Sequence, residues 1–195
     1  MPPRESAAAV KTLAVFMGMT ASGKSTLAMA WAEQCQAPYY NTDRVRKELA
    51  GLHASDRRPD GVGQGIYSPA LTMQTYQAML DRAATDFACG ARLVVLDGSY
   101  GKRADRDRVR AAATQYGAQS LFIFCVCSAD EVKRRLAVRA QDEAAVSDGR
   151  WEIYLHQLQS FDAPEGGETD CIRLDTEQGV ETMLKWLAAQ PSLQG

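Results

Sequence analysis

The stretch FMGMTASGKSTLA, Phe16 to Ala28, decides the fold. Gly18 and Gly23 enclose four residues, and Lys24 and Ser25 follow at once, so every fixed position of the pattern G-x-x-x-x-G-K-[ST] is satisfied. An apolar run leads into this pattern and an Ala- and Leu-rich segment leaves it, as expected for a strand, a phosphate-binding loop and a helix. This context favours a nucleoside triphosphate site over an ordinary glycine-rich turn whose Lys24 is merely solvated.

The pattern places several anion-binding groups at the start of one helix. The glycines permit backbone angles that turn successive N–H groups inward, and a helix N-terminus attracts negative charge. Lys24 is expected to neutralise the β- and γ-phosphates of ATP or GTP, and the Ser25 hydroxyl to ligate Mg²⁺. The predicted nucleotide-binding residues are Gly18, Thr20, Ala21, Ser22, Gly23, Lys24 and Ser25.

Composition bounds the class of protein. A chain of 195 residues fits one domain with a real core, and we expect a flexible leader over 1–10 followed by a single domain over 11–190. The formal charge of -2 gives no global attraction to nucleic acid or to anionic membrane, although a local basic groove stays open. No segment approaches the roughly 20 apolar residues needed to span a bilayer. The five cysteines lack metal-ligand spacing and suit a reducing cytoplasm, where we expect the protein; its oligomeric state is open.

Short β-rich runs alternate with helical patterns along the chain. The run Ser120 to Cys127 is apolar on both faces, as expected for a parallel strand covered on each side. Such alternation implies right-handed crossovers and a three-layer α/β arrangement with a parallel sheet. The predicted strands cover 12–18, 38–43, 92–98, 120–127 and 171–176. The predicted helices cover about 24–35, 43–51, 69–90, 103–117, 129–140, 148–160 and 178–189.

Two aspartates close predicted strands, and ligands bind at the carboxyl ends of parallel strands. Asp97 ends the run VVLD and is interpreted as the acidic strand end that orients Mg²⁺, directly or through water; its other interpretation is a turn cap. Asp43 begins a periodic helix and is read either as a helix N-cap or as the general base that takes a proton from an acceptor hydroxyl. Arg46, one helical turn later, is expected to hold substrate or phosphate. The residues alone leave the two readings of Asp43 even.

Arginines on two predicted helices are further candidates. Arg135 and Arg139 are four residues apart and share one face of the helix after the fourth strand, where arginines could cover a transferring phosphoryl group. The alternative is a solvated basic face. A second basic cluster, GKRADRDRVR, has its positive charge reduced by aspartates and predicts an exposed helix. From the start of this helix, Arg103 or Arg106 could reach the crevice at the carboxyl ends of the strands.

These motifs together resemble the AAA-type ATP-binding P-loop kinases. This group is related to the kinase domain of polynucleotide 5′-hydroxyl kinases and, more distantly, to zeta toxins and to gluconate and shikimate kinases. The resemblance runs from about Leu13 to Phe161. It is carried by the segments GMTASGKSTLA, NTDRVRKELAG, GIYSPALTMQTYQAML, VVLDGSY and EVKRRLAVR followed by SDGRWEIY. Thr20 and Ala21 stand where many relatives have Pro-Gly.

The resemblance implies a fold and a set of roles. It implies a nucleoside-monophosphate-kinase-like fold with a five-stranded parallel sheet in the order 2-3-1-4-5 and a helical lid near 128–150. Thr26 would join the nucleotide-binding residues, Asp43 and Arg46 would match the acceptor-side base and its arginine, and Arg135 with Arg139 would match the lid. Lys24, Asp43, Arg135 and Arg139 are therefore the predicted catalytic residues, and Ser25 and Asp97 the predicted metal site.

The expected reaction is Mg²⁺-ATP-dependent transfer of a phosphoryl group to a hydroxyl. The segment 53–80, including Tyr67 and Tyr76, is expected to shape the acceptor pocket. The predicted acceptor-side residues are Asp43, Arg46, Tyr67, Asp97 and Arg106. A small-molecule acceptor suits the slightly acidic chain. A polynucleotide 5′-end would need a basic channel, for which Arg57, Arg58 and the 102–110 cluster are available, and a switch module that binds ATP without transfer is the third reading.

Overall fold

Five parallel strands with helices between them form the fold seen in the computed structural model, which describes residues 10–54, 56, 63–141, 150–190 and 193. The strands are β1 (Lys11–Met17), β2 (Tyr39–Asn41), β3 (Leu93–Gly98), β4 (Ala118–Val126) and β5 (Cys171–Asp175). The helices are α1 (Lys24–Cys35), α2 (Thr42–Leu49), α3 (Pro69–Ala88), α4 (Arg103–Gln115), α5 (Ala129–Ala140), α6 (Trp151–Ser160) and α7 (Val180–Ala188), with a 3₁₀ turn at Gly65–Tyr67.

The strands pair in the order β2-β3-β1-β4-β5, and every pairing is parallel. β1 therefore lies in the middle of the sheet, with Phe16 beside Asp97 of β3 and beside Ile123 of β4. The carboxyl end of β1 runs directly into the phosphate loop, with β3 and β4 on either side of it and β2 beyond β3. The predicted fold class and sheet order are confirmed.

The strand β1 is buried on both faces because it separates two apolar cores. Leu13, Val15 and Met17 point into a core shared with α3 and α4. Ala14 and Phe16 point into the opposite core, which α1 and α7 cover. This arrangement is why β1 reads as a continuous apolar run rather than as an alternating one.

The second strand is shorter than the sequence predicts. The expected run extends to residue 43, whereas β2 ends at Asn41 and Asp43 lies in the first turn of α2. The side chain of Asn41 accepts hydrogen bonds from the N–H groups of Asp43 and Arg44, so Asn41 caps α2. The N-cap reading of Asp43 is therefore wrong, because an asparagine two residues earlier satisfies the helix start.

Some predicted features fall on residues outside the described part of the chain. These are most of the leader, the segment 57–62 with Arg57 and Arg58, and residues 142–149 of the predicted lid. The first part of that lid is α5, whose N-cap residue Ser128 accepts a hydrogen bond from the Glu131 N–H. The remainder of the lid stays a prediction. No helix in the described ranges has the length and apolarity that crossing a membrane requires.

Candidate active site

The phosphate loop joins β1 to α1, and two glycines make its path possible. Gly18 has φ +147°, and a Cβ atom there would collide with the carbonyl oxygen of Cys125 in β4. Gly23 has φ +84° at the N-cap position of α1, where a side chain would be strained. Ala21, between them, also takes a positive φ of 57°. The loop is thus folded tightly against the ends of the central strands.

The side chains of the loop are mostly turned inward. Thr20, Ala21 and Ser22 are all buried, whereas Ser25 and Thr26 line an open cleft at the start of α1. The Lys24 ammonium donates to the carbonyl oxygen of Met19, within the loop itself, at 3.2 Å. The lysine is therefore held over the loop, where the sequence predicts that phosphates bind.

A glutamine of α6 contacts the loop from outside. The Thr20 N–H donates to Oε1 of Gln157 at 2.7 Å, across 137 positions of sequence. Tyr154 of the same helix packs with Ala21 and with Val132 of α5 in a small apolar cluster. Both α5 and α6 therefore lie against the phosphate loop, and Gln157 is a contact that the sequence pattern did not indicate.

Asp97 lies at the carboxyl end of β3 and is fully buried. Its Oδ2 atom accepts from the Tyr39 hydroxyl at 2.8 Å and from the Asn41 side-chain amide. Its Oδ1 atom is buried and has no hydrogen-bond partner among the described residues. Burying an unpartnered carboxylate oxygen is unfavourable, so this atom fits a site completed by a hydrated cation. Ser25 and Asp97 thus have the donor chemistry that Mg²⁺ prefers.

The contact between Tyr39 and Asp97 was not predicted from the sequence. Burial, reinforced by the negative charge of Asp97, raises the pKa of the Tyr39 hydroxyl, so it stays a hydrogen-bond donor. The register of β2 against β3 puts Asn41 beside Asp97 and Tyr39 beside Val95. Both polar groups of β2 therefore orient the carboxylate.

Asp43 and Arg46, which the sequence predicts on the acceptor side, form an ion pair in the first turns of α2. Arg46 Nη1 lies 2.9 Å from Oδ1 of Asp43, and the guanidinium carbon lies 4.8 Å from the centre of the Tyr67 ring. Arg46 is 7% exposed, and its Nε atom has no hydrogen-bond partner among the described residues. The structure thus brings together three predicted acceptor-side residues, Asp43, Arg46 and Tyr67.

Two buried aromatic rings, from α3 and from the loop after β3, stack on each other. Tyr76 stacks on Tyr100 with ring centroids 4.5 Å apart, and its hydroxyl contacts the Ser99 hydroxyl. The Tyr100 backbone has a positive φ of 42°, and its N–H donates to the Tyr76 hydroxyl. These contacts fix the loop that follows Asp97.

Arg135 and Arg139 have different surroundings although they are one turn apart. Arg135 donates to Glu131, to the Ala21 carbonyl oxygen of the phosphate loop, and to the Thr176 hydroxyl and carbonyl oxygens. Burial lowers the pKa of the half-buried Arg139, while the charges of Asp43 and Asp97 act in the opposite direction. The negative charges of Asp43 and Asp97 therefore both favour the protonated form of Arg139.

Arg106 does not lie where the sequence predicts. It is fully buried, and its Nε and Nη2 atoms donate to both carboxylate oxygens of Glu168 at 2.8 and 2.6 Å. Its Nη1 atom donates to the carbonyl oxygens of Tyr100 and Asp162. The expectation that Arg106 contacts substrate is wrong, because these partners already occupy the guanidinium inside the protein.

An open cleft of about 690 Å³ lies over the start of α1. Gly23, Ser25 and Thr26 form its floor, and residues of α5 and of the turn between β5 and α7 form its walls. Arg135 and Arg139 face it from α5. A cleft of this size accommodates a nucleotide-sized ligand.

The sequence model of an AAA domain matches residues 13–164. A protein of Mycobacterium tuberculosis and one of Mycobacterium bovis, both described as uncharacterized, are 31% identical over 128 residues. The alignment covers 66% of this chain and 26% of each relative, so the chain spans about a quarter of the length of these relatives.

Several solved kinases share the fold. A sugar kinase from Janibacter sp. has a TM-score of 0.63 at 18% identity, covering 94% of this chain and 98% of its own. The APS kinase CysC of Mycobacterium tuberculosis, in complex with AMPPNP and APS, has 0.63 at 18%, covering 92% and 95%. A gluconokinase from Sinorhizobium meliloti has 0.60 at 22%, covering 91% and 89%.

These likenesses show the fold of P-loop kinases, with the sheet order seen here. The match over residues 13–164 takes in the phosphate loop, both crevice aspartates and the arginines of α5. The chain therefore belongs to this AAA domain family.

Proposed function

We propose that this protein is a kinase that uses Mg²⁺-ATP to phosphorylate a hydroxyl group of a small molecule. The observation that carries the proposal is the position of Arg139, which lines the cleft over the phosphate loop together with Ser25 and Thr26. Burial lowers the pKa of this guanidinium, and the charges of Asp43 and Asp97 act to raise it against that effect. An arginine that lines the cleft over the phosphate loop is suited to stabilise a phosphoryl group in transfer. Positioning and charge stabilisation supply most of the acceleration in this chemistry.

Each residue of the candidate site has its own role in the proposed reaction. The N–H groups at the start of α1 and the Lys24 ammonium bind the phosphates of ATP. Arg139 stabilises the charge that develops on the equatorial oxygens and helps to exclude water. Asp43 accepts the proton of the acceptor hydroxyl, and Arg46, held by Asp43 and by the Tyr67 ring, orients that acceptor.

A cation would be held by the Ser25 hydroxyl and by the unpartnered Oδ1 atom of Asp97. A bound Mg²⁺ would supply positive charge that neutralises the phosphate groups. Tyr39 and Asn41 keep Asp97 in one orientation by occupying its other oxygen. The Asp97 carboxylate is therefore already oriented before a ligand binds.

The names of the structural relatives and the charge distribution both support a small-molecule acceptor. Gluconokinase and shikimate kinase are among the proteins that share the fold. The basic cluster after Asp97 is neutralised internally: Arg103 pairs with Asp107, Arg108 with Asp105, and Arg110 with Glu168 and Asp170. These arginines favour an internal ion-pair network over the basic channel that a polynucleotide 5′-end needs.

The test is phosphoryl transfer from γ-labelled ATP to a panel of metabolites, nucleosides and 5′-hydroxyl oligonucleotides, with Lys24→Ala as the blank. Once an acceptor is found, Asp43→Asn should lower kcat by about 10²- to 10⁴-fold, because general base catalysis contributes that much. The Kd for ATP should stay close to that of the wild type.

A matched control lies on the same helix. Glu48 is exposed and pairs with Arg82 of α3, so Glu48→Gln should leave kcat unchanged. Turnover that survives Asp43→Asn would exclude Asp43 as the base. ATP binding without transfer to any acceptor of the panel would instead favour a switch module, and transfer to oligonucleotides alone would favour the polynucleotide acceptor.

A further inference from the structure

We propose that Thr176 is a positioning residue that, together with Arg135, holds the phosphate loop in its anion-binding conformation. This inference rests on the proposed nucleotide function. Thr176 follows β5 directly, is 2% exposed and lies in the wall of the cleft. It lies 154 positions from Ser22 in sequence and belongs to no motif that the sequence reveals.

The Thr176 hydroxyl bridges the loop and α5. Its Oγ1 atom donates to the Ser22 carbonyl oxygen at 2.6 Å and accepts from Nη1 of Arg135 at 3.0 Å. The Thr176 backbone is itself fixed, because its N–H donates to the Val126 carbonyl oxygen of β4 at 2.9 Å. The sheet therefore fixes the position of Thr176, and the hydrogen bond from its hydroxyl restrains Ser22 of the loop.

The orientation of the Ser22 carbonyl group, which Thr176 fixes, determines the direction of the Gly23 N–H. In a trans peptide unit the C=O and the following N–H point in opposite directions. Holding the Ser22 carbonyl oxygen against Thr176 therefore directs the Gly23 N–H to the other side of the loop, toward the start of α1. That N–H is one of the free donors of the helix N-terminus, where anions bind.

Arg135 supports the neighbouring peptide and fills the space beside Gly23. Its Nη1 atom donates to the Ala21 carbonyl oxygen at 3.2 Å, and its Nη2 atom to the Thr176 carbonyl oxygen at 2.6 Å. A Cβ atom at Gly23 would lie 2.8 Å from Arg135 Nη1 and 3.0 Å from Thr176 Oγ1. Arg135 and Thr176 thus pack directly against Gly23, beside the cleft whose floor the loop forms.

It follows that Arg135 and Arg139 have separate roles. Arg135 acts through the phosphate loop and is a positioning residue, whereas Arg139 faces the carboxylates of the crevice. Loss of the Thr176 hydroxyl should therefore weaken phosphate binding more than it slows transfer. The expected signature is a raised KM for ATP with little change in kcat.

The test compares Thr176→Val, which removes the hydroxyl but keeps the shape, with Thr176→Ser, which keeps the hydroxyl. Binding of ATP and of inorganic tripolyphosphate is measured by titration calorimetry on the full chain. Thr176→Val should weaken both ligands about tenfold, the upper range for one hydrogen bond. Thr176→Ser should bind within about twofold of the wild type, since the hydroxyl bond is retained.

Thr75→Val is the matched control. Thr75 is also fully buried, and its hydroxyl donates to the Leu71 carbonyl oxygen within α3 at 2.7 Å. Thr75→Val should lower the Tm comparably to Thr176→Val but leave both Kd values unchanged. A merely structural Thr176 would behave in the same way as this control.

The outcomes separate this inference from the function on which it rests. If the wild type binds ATP and Thr176→Val binds both ligands equally well, the positioning role is wrong. It is also wrong if Thr176→Ser loses affinity as Thr176→Val does, or if Thr75→Val weakens binding as much. A wild type that binds neither ATP nor tripolyphosphate overturns the nucleotide function and the positioning role together.

Discussion

The Tyr39 hydroxyl donates a hydrogen bond of 2.8 Å to Oδ2 of Asp97, from the neighbouring strand of the sheet. This contact leaves Oδ1 as the atom of Asp97 without a partner among the described residues. One oxygen of the carboxylate is therefore used to fix its orientation, and the other is left for a ligand. Two predictions on the site and one on its framework follow from such pairings.

Tyr39→Phe should impair the metal-dependent step rather than the fold. Without the hydroxyl, Asp97 keeps only the Asn41 amide on Oδ2 and is less well oriented. We expect kcat to fall about tenfold, as for the loss of one charge-assisted hydrogen bond, and the Mg²⁺ concentration for half-maximal rate to rise. Steady-state kinetics over a Mg²⁺ series measures both.

The next residue provides the control. The Tyr40 hydroxyl donates to Asp86 of α3, on the other face of the sheet from Asp97's partners. Tyr40→Phe removes the same group from the same short strand and should leave the Mg²⁺ dependence unchanged. Equal effects of the two substitutions would show that β2 responds as a whole, and Tyr39 would have no special role.

Arg139→Ala should lower kcat by about 10²-fold or more, because a cation aimed at developing charge typically contributes at least that much. The Kd for ATP should change less, since the phosphate loop and Lys24 remain. Arg134 is the control on the same helix: its guanidinium is exposed and pairs with Glu131. Arg134→Ala should keep kcat within about twofold of the wild type. An unchanged kcat for Arg139→Ala would remove this residue from the catalytic set.

The sequence predicted what local patterns determine and missed what distant pairings determine. The strand, loop and helix around Gly18 to Ser25 are encoded within a dozen residues, and the alternation of elements then implies the parallel sheet. The contact of Tyr39 with Asp97 depends on the register of two strands 58 positions apart. The Thr176 contacts with the loop depend on the end of β5, 154 positions from Ser22.

Arg106 shows the same limit in the opposite direction. Its position near the start of α4 suggested a route to the crevice, but Glu168 returns from 62 positions away and binds the guanidinium inside the protein. No local pattern announces such a partner. Arg135 and Arg139 likewise share a helix face, and only their contacts with other elements separate them.

Glu168→Gln should destabilise the fold and change its response to acid. Hydrogen bonds from Arg106, then from Arg110, hold the pKa of Glu168 at about 2 against an ordinary value of 4.5, and the side chain is 2% exposed. Since the folded-state pKa is depressed, this stabilisation is complete above pH 4.5 and is lost as the pH falls toward 2. Removing one partner of a buried ion pair should lower the free energy of unfolding at neutral pH by about 3 kcal/mol.

The pH dependence distinguishes this ion pair from a general packing defect. The stability difference between wild type and Glu168→Gln should be constant at neutral pH. It should shrink between pH 4.5 and 2, where the Glu168 carboxylate takes up a proton in the unfolded chain but stays ionised in the folded one. Glu165→Gln, at an exposed position of the same loop, should follow the wild type throughout. Urea denaturation at a series of pH values measures all three proteins. A difference that stays constant down to pH 2 would mean that Glu168 stabilises the fold by packing and not by its charge.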